Sequence, residues 1–86
     1  MKIIYTSEFK RGFKKIESAL QLEALAKEVI FRKNPFDSRL KTHKLSGKLK
    51  GCFAFSISYS SRIIFEFSKN KDTVYFYSIG DHDIYK

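Results

Sequence analysis

The order of apolar and polar positions divides the first half of the chain into one strand and two helices. Residues Lys2–Tyr5 predict a short strand. Ser7 is then the predicted N-cap of a helix, with Glu8 favourably placed against the helix dipole. The second helix is expected to end before Asn34-Pro35, because a proline disfavours helix in the residue ahead of it. The two helices should form an antiparallel hairpin, since apolar residues recur at helical spacing in two adjoining sets: Phe9, Phe13, Ile16 and Leu20, then Leu22, Leu25, Ala26, Val29 and Ile30.

The second half of the chain is typical of β structure. Three runs predict strands at Cys52–Tyr59, Arg62–Phe67 and Thr73–Ile79. The polar segment Ser68–Asp72 predicts that the last two strands form a hairpin. Before them, the segment from Arg39 to Gly51 is rich in lysine, with only three large apolar residues, and is expected to be a basic loop with some strand.

The alternation within the strands predicts their pairing. Phe53, Phe55, Ile57 and Tyr59 share one face, and Ile63, Phe65 and Phe67 share a face of the next strand. Matching these faces requires an odd-length loop or a bulge near Ser60-Ser61. Pairing Tyr59 with Ile63, and Phe65 with Tyr75, gives a continuous core face that Tyr75, Tyr77 and Ile79 extend. The predicted fold class is therefore α+β in the order β-α-α-β-β-β, an antiparallel sheet with the helical hairpin on one face, in a single domain over residues 1–86.

The opposite face of the sheet is predicted to be open and to carry the chemistry. At one end it is small and polar, and Arg62 is expected beside Ser78 there, with His82 just past the end of the same strand. A shallow floor of serine and alanine leaves room for a ligand. The predicted open-face residues are Ala54, Ser56, Ser58, Arg62, Ile64, Glu66, Val74, Phe76 and Ser78.

Composition fits one cytoplasmic domain. The 86 residues are 43% hydrophobic, which is enough for a core and argues against disorder. No apolar run approaches the roughly 18–20 residues of a membrane span, and the N-terminus lacks the apolar stretch of a signal peptide. The single cysteine, Cys52, cannot form an internal disulfide and is expected to be a small buried residue, which suits a reducing cytoplasm.

Charge indicates the kind of partner. Seventeen Lys and Arg against nine Asp and Glu give a net charge of +8, which favours nucleic acid, an acidic membrane surface or an acidic protein as partner. The alternative is that the charge serves solubility alone. The two distant histidines and scattered carboxylates do not have the spacing of a metal site, and there is no phosphate-binding glycine loop, so no cofactor is expected.

RNA cleavage needs no metal, because the 2′-hydroxyl of the substrate can attack the adjacent phosphorus. A base must take its proton, fixed positive charge must stabilise the pentavalent dianion, and an acid must protonate the leaving 5′-oxygen. Histidine suits the acid or base role near neutral pH, and arginine suits bidentate phosphate contact.

Four segments of the chain form a recognisable set: TSEFKRGFKKI (6–16), HKLSGKLKG (43–51), SSRIIFEF (60–67) and YSIGDHDIY (77–85). Together they resemble the RelE/ParE superfamily of toxins from bacterial toxin–antitoxin pairs, on the side of RelE, YafQ and YoeB. The resemblance implies a ribosome-dependent mRNA endonuclease that acts in the ribosomal A site, and an acidic antitoxin protein that neutralises it, with no membrane or small-molecule cofactor.

The resemblance also implies roles for individual residues. Arg62 matches the arginine that contacts the scissile phosphate, His82 a C-terminal histidine that acts as general acid, and Tyr85 an aromatic that orients the substrate. His43 matches a histidine that is a candidate general base. RNA-backbone contacts are expected from the lysines of the basic loop: Lys41, Lys44, Lys48 and Lys50.

The chain also departs from the family pattern. Ser56 and Ser60 stand where YafQ-type toxins have a functional histidine and aspartate. The base is therefore His43, or a lysine or tyrosine whose proton is loosened by nearby positive charge.

Two other functions are open. A ParE-like toxin would inhibit DNA gyrase by protein contact, without catalysis, although Arg62, His82 and the basic loop favour the nuclease. A non-catalytic nucleic-acid-binding module should carry a row of exposed aromatics, but only Phe76 is expected on the open face.

Overall fold

A five-stranded sheet with two helices on one face forms the domain in a computed structural model, which describes residues 1–81 and 84. The sheet order is β1-β5-β4-β3-β2. The predicted α+β fold is confirmed, but the sheet is mixed, since β1 runs parallel to β5 and the other neighbours are antiparallel. The elements are β1 (Lys2–Tyr5), α1 (Ser7–Lys15), α2 (Ser18–Lys33), β2 (His43–Lys44), β3 (Phe53–Ser56), β4 (Arg62–Phe67) and β5 (Thr73–Gly80).

The first helix begins at Ser7, the residue that was predicted to be its N-cap. Thr6, not Ser7, is the N-cap: its hydroxyl oxygen accepts a hydrogen bond from the Phe9 N–H at 3.1 Å. The same hydroxyl donates to the carbonyl of Tyr77 at 2.8 Å, which joins the start of α1 to β5. Serine and threonine are both good N-caps, so the sequence alone does not decide between Thr6 and Ser7. In the structure Thr6 also has the hydrogen bond to β5.

The two helices run antiparallel along the sheet, as predicted. The side chain of Gln21 on α2 donates to the Phe13 carbonyl near the end of α1, at 2.7 Å. At the other end, the Tyr5 hydroxyl donates to the Glu28 carboxylate. Gly12 allows the close approach of α1 to β5, because a Cβ there would lie 3.0 Å from the Ile79 carbonyl oxygen.

The connection from β3 to β4 has the predicted odd length but a different register. It covers residues 57–61, and Phe55 rather than Tyr59 pairs with Ile63. The changed register still puts the apolar faces of β3 and β4 on the same side of the sheet. Phe55, Ile57, Ile63 and Phe65 are therefore buried in the main core as expected. Tyr59 was wrongly assigned to that core: the strand ends at Ser56, and the Tyr59 side chain is 99% exposed.

A bulge between β4 and β5 overturns the predicted faces of β5 up to Tyr77, whereas Ile79 lies in the main core and Ser78 on the open face as predicted. Ile64 pairs with Ser78 but Phe65 pairs with Phe76, so Tyr77 is the extra residue. Phe76 and Val74 are therefore buried in the main core, not on the open face. Tyr75 pairs with Glu66, and Tyr77 packs in the cluster on the other face. Burying phenylalanine instead of tyrosine avoids a hydroxyl in the core that would need a partner.

Helix α2 is where predicted but buries a different face. Ala24 and Phe31 are buried against the sheet, with Leu20 and Ile30 packed at its edge. Leu22, Leu25 and Val29, which the helical pattern assigned to the core, are 68%, 50% and 59% exposed. We call these three residues the α2 stripe. Of the helices within residues 1–81 and 84, none is long and apolar enough to cross a membrane.

Candidate nucleic-acid interface

Arg62 is held by the turn that precedes it. It opens β4, where it pairs with Ser56 on β3 and Gly80 on β5, so the expected neighbour Ser78 lies two pairs further along, opposite Ile64. One terminal nitrogen of its guanidinium, Nη1, donates to three carbonyl oxygens, those of Ser58 at 3.1 Å, Tyr59 at 3.2 Å and Ser61 at 3.1 Å. These bonds fix the direction of the side chain without using its whole donor set.

The other edge of the guanidinium is free to bind a ligand. Within residues 1–81 and 84, Nε and Nη2 of Arg62 have no hydrogen-bond partner and no carboxylate pairs with the side chain. Nε and Nη2 point in nearly parallel directions, which is the geometry that binds two oxygens of one phosphate. A side chain held by Nη1 and open at Nε–Nη2 is therefore preorganised for a phosphodiester.

Arg62 lines a cavity of about 500 Å³ that we call the basic cleft. Four cationic residues contribute to it from α2, from the turn at residues 38–41 and from β4: Lys27, Arg39, Lys41 and Arg62. The other described residues that line it are Ser56, Ile57, Ser58 and Tyr59, so none of the carboxylates within residues 1–81 lies in the wall. Two of the cations are partly neutralised from outside the cleft, Lys27 by Glu23 at 3.4 Å and Arg39 by Asp37 at 2.9 Å. The cleft suits a polyanion.

His43 lies on the open face of the sheet, near the basic cleft. Its Nδ1 is 3.1 Å from the Lys41 carbonyl oxygen, which can only accept, so Nδ1 carries a proton and the neutral ring presents Nε2 as a base. It pairs with Ala54, which pairs with Ile64, so His43 and Arg62 lie two strands apart and two residues apart along the strand direction, on the same face. That spacing corresponds to roughly 12 Å between their Cα atoms.

The predicted RNA-binding lysines fall into separate places. Lys41 lines the basic cleft, where it adopts a left-handed backbone conformation with φ of 53°. Lys44 and Lys50 line a different cavity of about 510 Å³ beside β2. Lys48 is exposed on the turn Gly47–Leu49. The structure thus brings Lys41 together with Arg62, and leaves the other three lysines outside the basic cleft.

The middle of the open face is not the shallow floor that the sequence predicted. Ala54, Ile64 and Cys52 are buried there, under side chains of the 45–49 segment and of Tyr77. Ile84 also packs on this cluster, and Ser78, opposite Ile64, is only 6% exposed. A separate cavity of about 460 Å³, lined by Cys52, Ile64 and Ser78, lies on this part of the face, whereas the cationic side chains line the cleft at the Arg62 end of the sheet.

Comparison with known proteins identifies the fold. No family model matches the chain, and no curated protein matches it by sequence. Among solved structures, a YoeB/ParE toxin from Agrobacterium tumefaciens matches with a TM-score of 0.80 at 15% identity, over 95% of this chain and 99% of that one. RelE in the archaeal RelE–RelB complex from Pyrococcus horikoshii gives 0.75 at 12%, over 93% and 92%. The Escherichia coli DinJ–YafQ toxin–antitoxin complex gives 0.69 at 20%, over 96% and 93%.

The chain has the fold of RelE/ParE-superfamily toxins. The match spans nearly the whole length on both sides. Arg62 opens β4, and His43 lies on the short edge strand β2. The predicted general acid, His82, and the aromatic Tyr85 lie outside the described residues, and their roles stay predictions.

Three residues of this RelE/ParE-fold site were absent from the predicted set. Lys27 had no local signal, because it lies on α2 and reaches the cleft only through packing of the helix on the sheet. Arg39 belongs to the basic segment but was not separated from its neighbours. Tyr59 was hidden by its alternation with Phe55 and Ile57, which is typical of a strand that here ends three residues earlier.

A tyrosine–carboxylate pair joins β5 to β4 on the open face. The Tyr77 hydroxyl donates to Glu66 Oε1 at 2.7 Å. This hydrogen bond, together with burial, raises the pKa of Tyr77 from its ordinary 10.0 to about 12, because ionised tyrosine would face the carboxylate. The Tyr75 ring stacks beside Tyr77 with centroids 6.3 Å apart. The expectation that Phe76 is the aromatic on this face was therefore wrong.

Replacing Tyr77 with phenylalanine should change how stability depends on pH. A tyrosine whose pKa is raised by folding contributes stability that is complete below pH 10 and disappears as the pH rises towards 12. We expect wild type to be more stable than Tyr77→Phe at pH 8, and the difference to shrink above pH 10. Urea denaturation across this range measures it. Tyr59→Phe removes an exposed hydroxyl and should leave the profile unchanged; a constant difference for Tyr77→Phe would contradict the pairing with Glu66.

Proposed function

We propose that this protein is the toxin of a bacterial toxin–antitoxin pair and that it cleaves mRNA on the ribosome. The proposal rests above all on Arg62, which lines the basic cleft and whose Nε–Nη2 edge has no hydrogen-bond partner within the described residues. The fold that presents this arginine is shared with YafQ, RelE and a YoeB/ParE toxin. The proposed site of action is the cytoplasm, where mRNA is translated.

The proposed reaction uses groups on the protein for each proton and charge. Nε2 of His43 takes the proton of the 2′-hydroxyl, and the 2′-oxygen forms a bond to the adjacent phosphorus. Arg62 binds two equatorial oxygens and stabilises the dianionic intermediate. His82 protonates the 5′-oxygen as its bond to phosphorus breaks, and Tyr85 orients the substrate. The products are a 2′,3′-cyclic phosphate and a 5′-hydroxyl end.

The roughly 12 Å between the Cα atoms of His43 and Arg62 suits this division of roles. Their side chains extend from the same face of the sheet, so a nucleotide can lie between them with its 2′-hydroxyl towards His43 and its phosphate towards Arg62. Ser56, the neighbour of Arg62 on β3, stands where YafQ-type toxins carry a histidine. We therefore assign the base to His43 in this chain.

The test is to induce the protein in bacteria and map mRNA 5′ ends, with wild type, His43→Gln and His82→Ala. Cuts with 5′-hydroxyl ends inside translated codons, lost in both variants, would support the proposal. Growth arrest with intact mRNA and with relaxed or broken DNA would overturn it in favour of a gyrase inhibitor. Cuts that persist in His43→Gln would remove His43 from the role of base while leaving the nuclease in place.

The proposed partner is an acidic antitoxin; one of the similar structures is a toxin–antitoxin complex, of DinJ with YafQ, and another is a complex of RelE with RelB. The α2 stripe exposes three large apolar side chains along one side of a helix, and exposed apolar surface of this kind marks a protein interface. Beside it, a groove of about 300 Å³ runs between α1 and α2, with Phe9, Phe13 and Leu25 in its wall. Lys10 and Lys14 line the same groove, and its one described carboxylate, Glu28, is already bound by Tyr5 and Arg32, so the groove favours acidic residues on the segment that fills it.

The same helix connects the apolar surface to the basic cleft. Lys27 lines the cleft from the same helix, but at 3.6 residues per turn it lies on nearly the opposite side of α2 from Leu25 and Val29. An antitoxin segment that covers the stripe and then continues around α2 would bring acidic side chains towards Lys27 and Arg62. The antitoxin would then compete with RNA for the cleft, which gives neutralisation a physical basis.

Replacing Leu25 and Val29 together with serine should weaken antitoxin binding at least about tenfold, because two exposed apolar contacts are lost. Titration calorimetry with the cognate antitoxin measures the change. Lys33→Ser, at the exposed end of the same helix, is the matched control and should bind within about twofold of wild type. Wild-type binding should also weaken as salt is added. Unchanged binding by the double variant would exclude the α2 stripe as the interface.

A further inference from the structure

The Tyr59 side chain contributes almost nothing to the fold. It is 99% exposed, and its ring has no aromatic partner among residues 1–81 and 84. A single exposed aromatic needs no explanation by itself. Tyr59 differs because it lies in the wall of the basic cleft, two residues before the turn returns to Ser61 and Arg62.

The backbone of Tyr59 is fixed while its ring is free. Its carbonyl oxygen accepts from Arg62 Nη1 at 3.2 Å, and the Ile57 N–H donates to the Ser61 carbonyl at 3.0 Å across the turn. The Ser61 N–H also donates to the Ser58 hydroxyl at 3.2 Å. The backbone therefore fixes the position of Tyr59 beside the guanidinium of Arg62, while the ring itself is almost fully exposed.

We infer that Tyr59 and the basic cleft form a nucleotide-binding subsite for single-stranded RNA, next to the phosphate held by Arg62. The Tyr59 ring stacks on a base, and Lys27, Arg39 and Lys41 contact the phosphates that follow. The inference rests on the proposed function, and it adds the path of the substrate beyond the scissile bond. A cavity of about 500 Å³ lies in the range of about 300–1,000 Å³ typical of small-ligand sites.

The position of Lys41 joins this subsite to the catalytic groups. Its side chain lines the cleft, and its carbonyl oxygen holds Nδ1 of His43 at 3.1 Å. A strand that passes from His43 to Arg62 therefore continues past Lys41 into the cleft. Because every base has a π face, stacking on Tyr59 strengthens binding without selecting a codon.

The test separates binding from chemistry on programmed ribosomes. Cleavage of a short mRNA in the A site is followed at increasing protein concentration for wild type, Tyr59→Ala, Tyr59→Phe and Tyr59→Trp. We expect Tyr59→Ala to raise the half-saturating concentration roughly tenfold, with a maximal rate within about twofold of wild type. Tyr59→Phe and Tyr59→Trp keep a stacking ring and should resemble wild type. An alanine at position 59 keeps the carbonyl that Arg62 needs.

A second variant tests the phosphate contacts. Lys41→Asn removes the charge with a residue that tolerates positive φ, so the turn is kept. Binding to ribosomes carrying an mRNA with a 2′-deoxynucleotide at the cleavage position is measured at several salt concentrations. We expect the slope of log affinity against log salt to fall by about 0.7, as for one lost phosphate contact on a single strand. Lys69→Ala, on the exposed β4–β5 turn, is the matched control and should not change the slope.

The outcomes distinguish the subsite from the proposed function. If wild type cleaves and Tyr59→Ala saturates like wild type, the subsite is overturned and the nuclease stands. If Tyr59→Phe raises the half-saturating concentration as much as Tyr59→Ala does, stacking of the ring on a base is overturned. If wild type does not cleave but binds the deoxy-substituted mRNA through Tyr59 and Lys41, the subsite stands and the nuclease fails. If wild type neither cleaves nor binds the mRNA, both the subsite and the nuclease are overturned.

Discussion

Replacing Arg62 with alanine should lower the maximal rate of mRNA cleavage by about 100- to 1,000-fold. This is the usual cost of removing one preorganised donor that stabilises a developing negative charge. The effect falls on the rate more than on binding, because the Nε–Nη2 edge meets more charge in the pentavalent intermediate than in the ground-state phosphodiester. Single-turnover cleavage on programmed ribosomes measures the rate directly.

Two variants separate the chemistry of Arg62 from its structural contacts. The turn keeps hydrogen bonds between Ile57 and Ser61 and between Ser58 and Ser61 in Arg62→Ala, so the fold should survive. Arg62→Lys restores the charge without the two-nitrogen geometry and should recover only part of the rate. Arg11→Ala removes an exposed charge from α1 and is the matched control. Full activity in Arg62→Ala would refute the phosphate contact.

Replacing Phe31 with alanine should lower the free energy of unfolding by about 3–5 kcal/mol. Phe31 is fully buried, and its ring lies 5.0 Å from that of Phe55, 4.9 Å from Phe65 and 5.3 Å from Phe76. Its removal leaves a cavity where α2 meets three strands. Small domains are stable by only about 5–15 kcal/mol, so the loss would be a large part of the total. Urea denaturation followed by far-ultraviolet circular dichroism measures it.

Phe36 provides the same substitution in a different setting. Its side chain is 55% exposed and contacts only the edge of the aromatic cluster, at Phe53 and Phe67. We expect Phe36→Ala to cost about 1 kcal/mol or less, since most of its surface is already in water. Equal losses for Phe31→Ala and Phe36→Ala would contradict the assignment of Phe31 to the centre of the core.

The hydrophobic pattern predicted most of the elements because periodicity is a local property. Both helices, the hairpin of β4 and β5 and the odd length of the β3–β4 connection follow from spacing that neighbouring residues define. The end of α2 follows from Pro35, which acts on the residue beside it. The parallel pairing of β1 with β5 has no such local cause, since more than sixty residues separate the two strands.

The predictions that were wrong concern segments whose local pattern fits two arrangements almost equally well. Helix α2 is apolar on two sides, and the pattern assigned Leu22, Leu25 and Val29 to the core although the sheet packs on Ala24 and Phe31. In β5, aromatic residues stand at consecutive positions, so one bulged residue decides whether Phe76 or its tyrosine neighbours are buried. Tyr59 continues an alternation that the chain itself ends at Ser56.

By itself the sequence determined the α+β class and the basic character of the protein, because element type and net charge follow from the residues alone. The choice of Arg62 and His43 as chemical groups came from the resemblance to a toxin family and stays a prediction. Only the tertiary structure decided that Lys27, Arg39, Lys41 and Arg62 line one cleft, and that the apolar side of α2 faces outward. These depend on how a helix rotates on a sheet and where a strand bulges, which are settled by packing between distant parts of the chain.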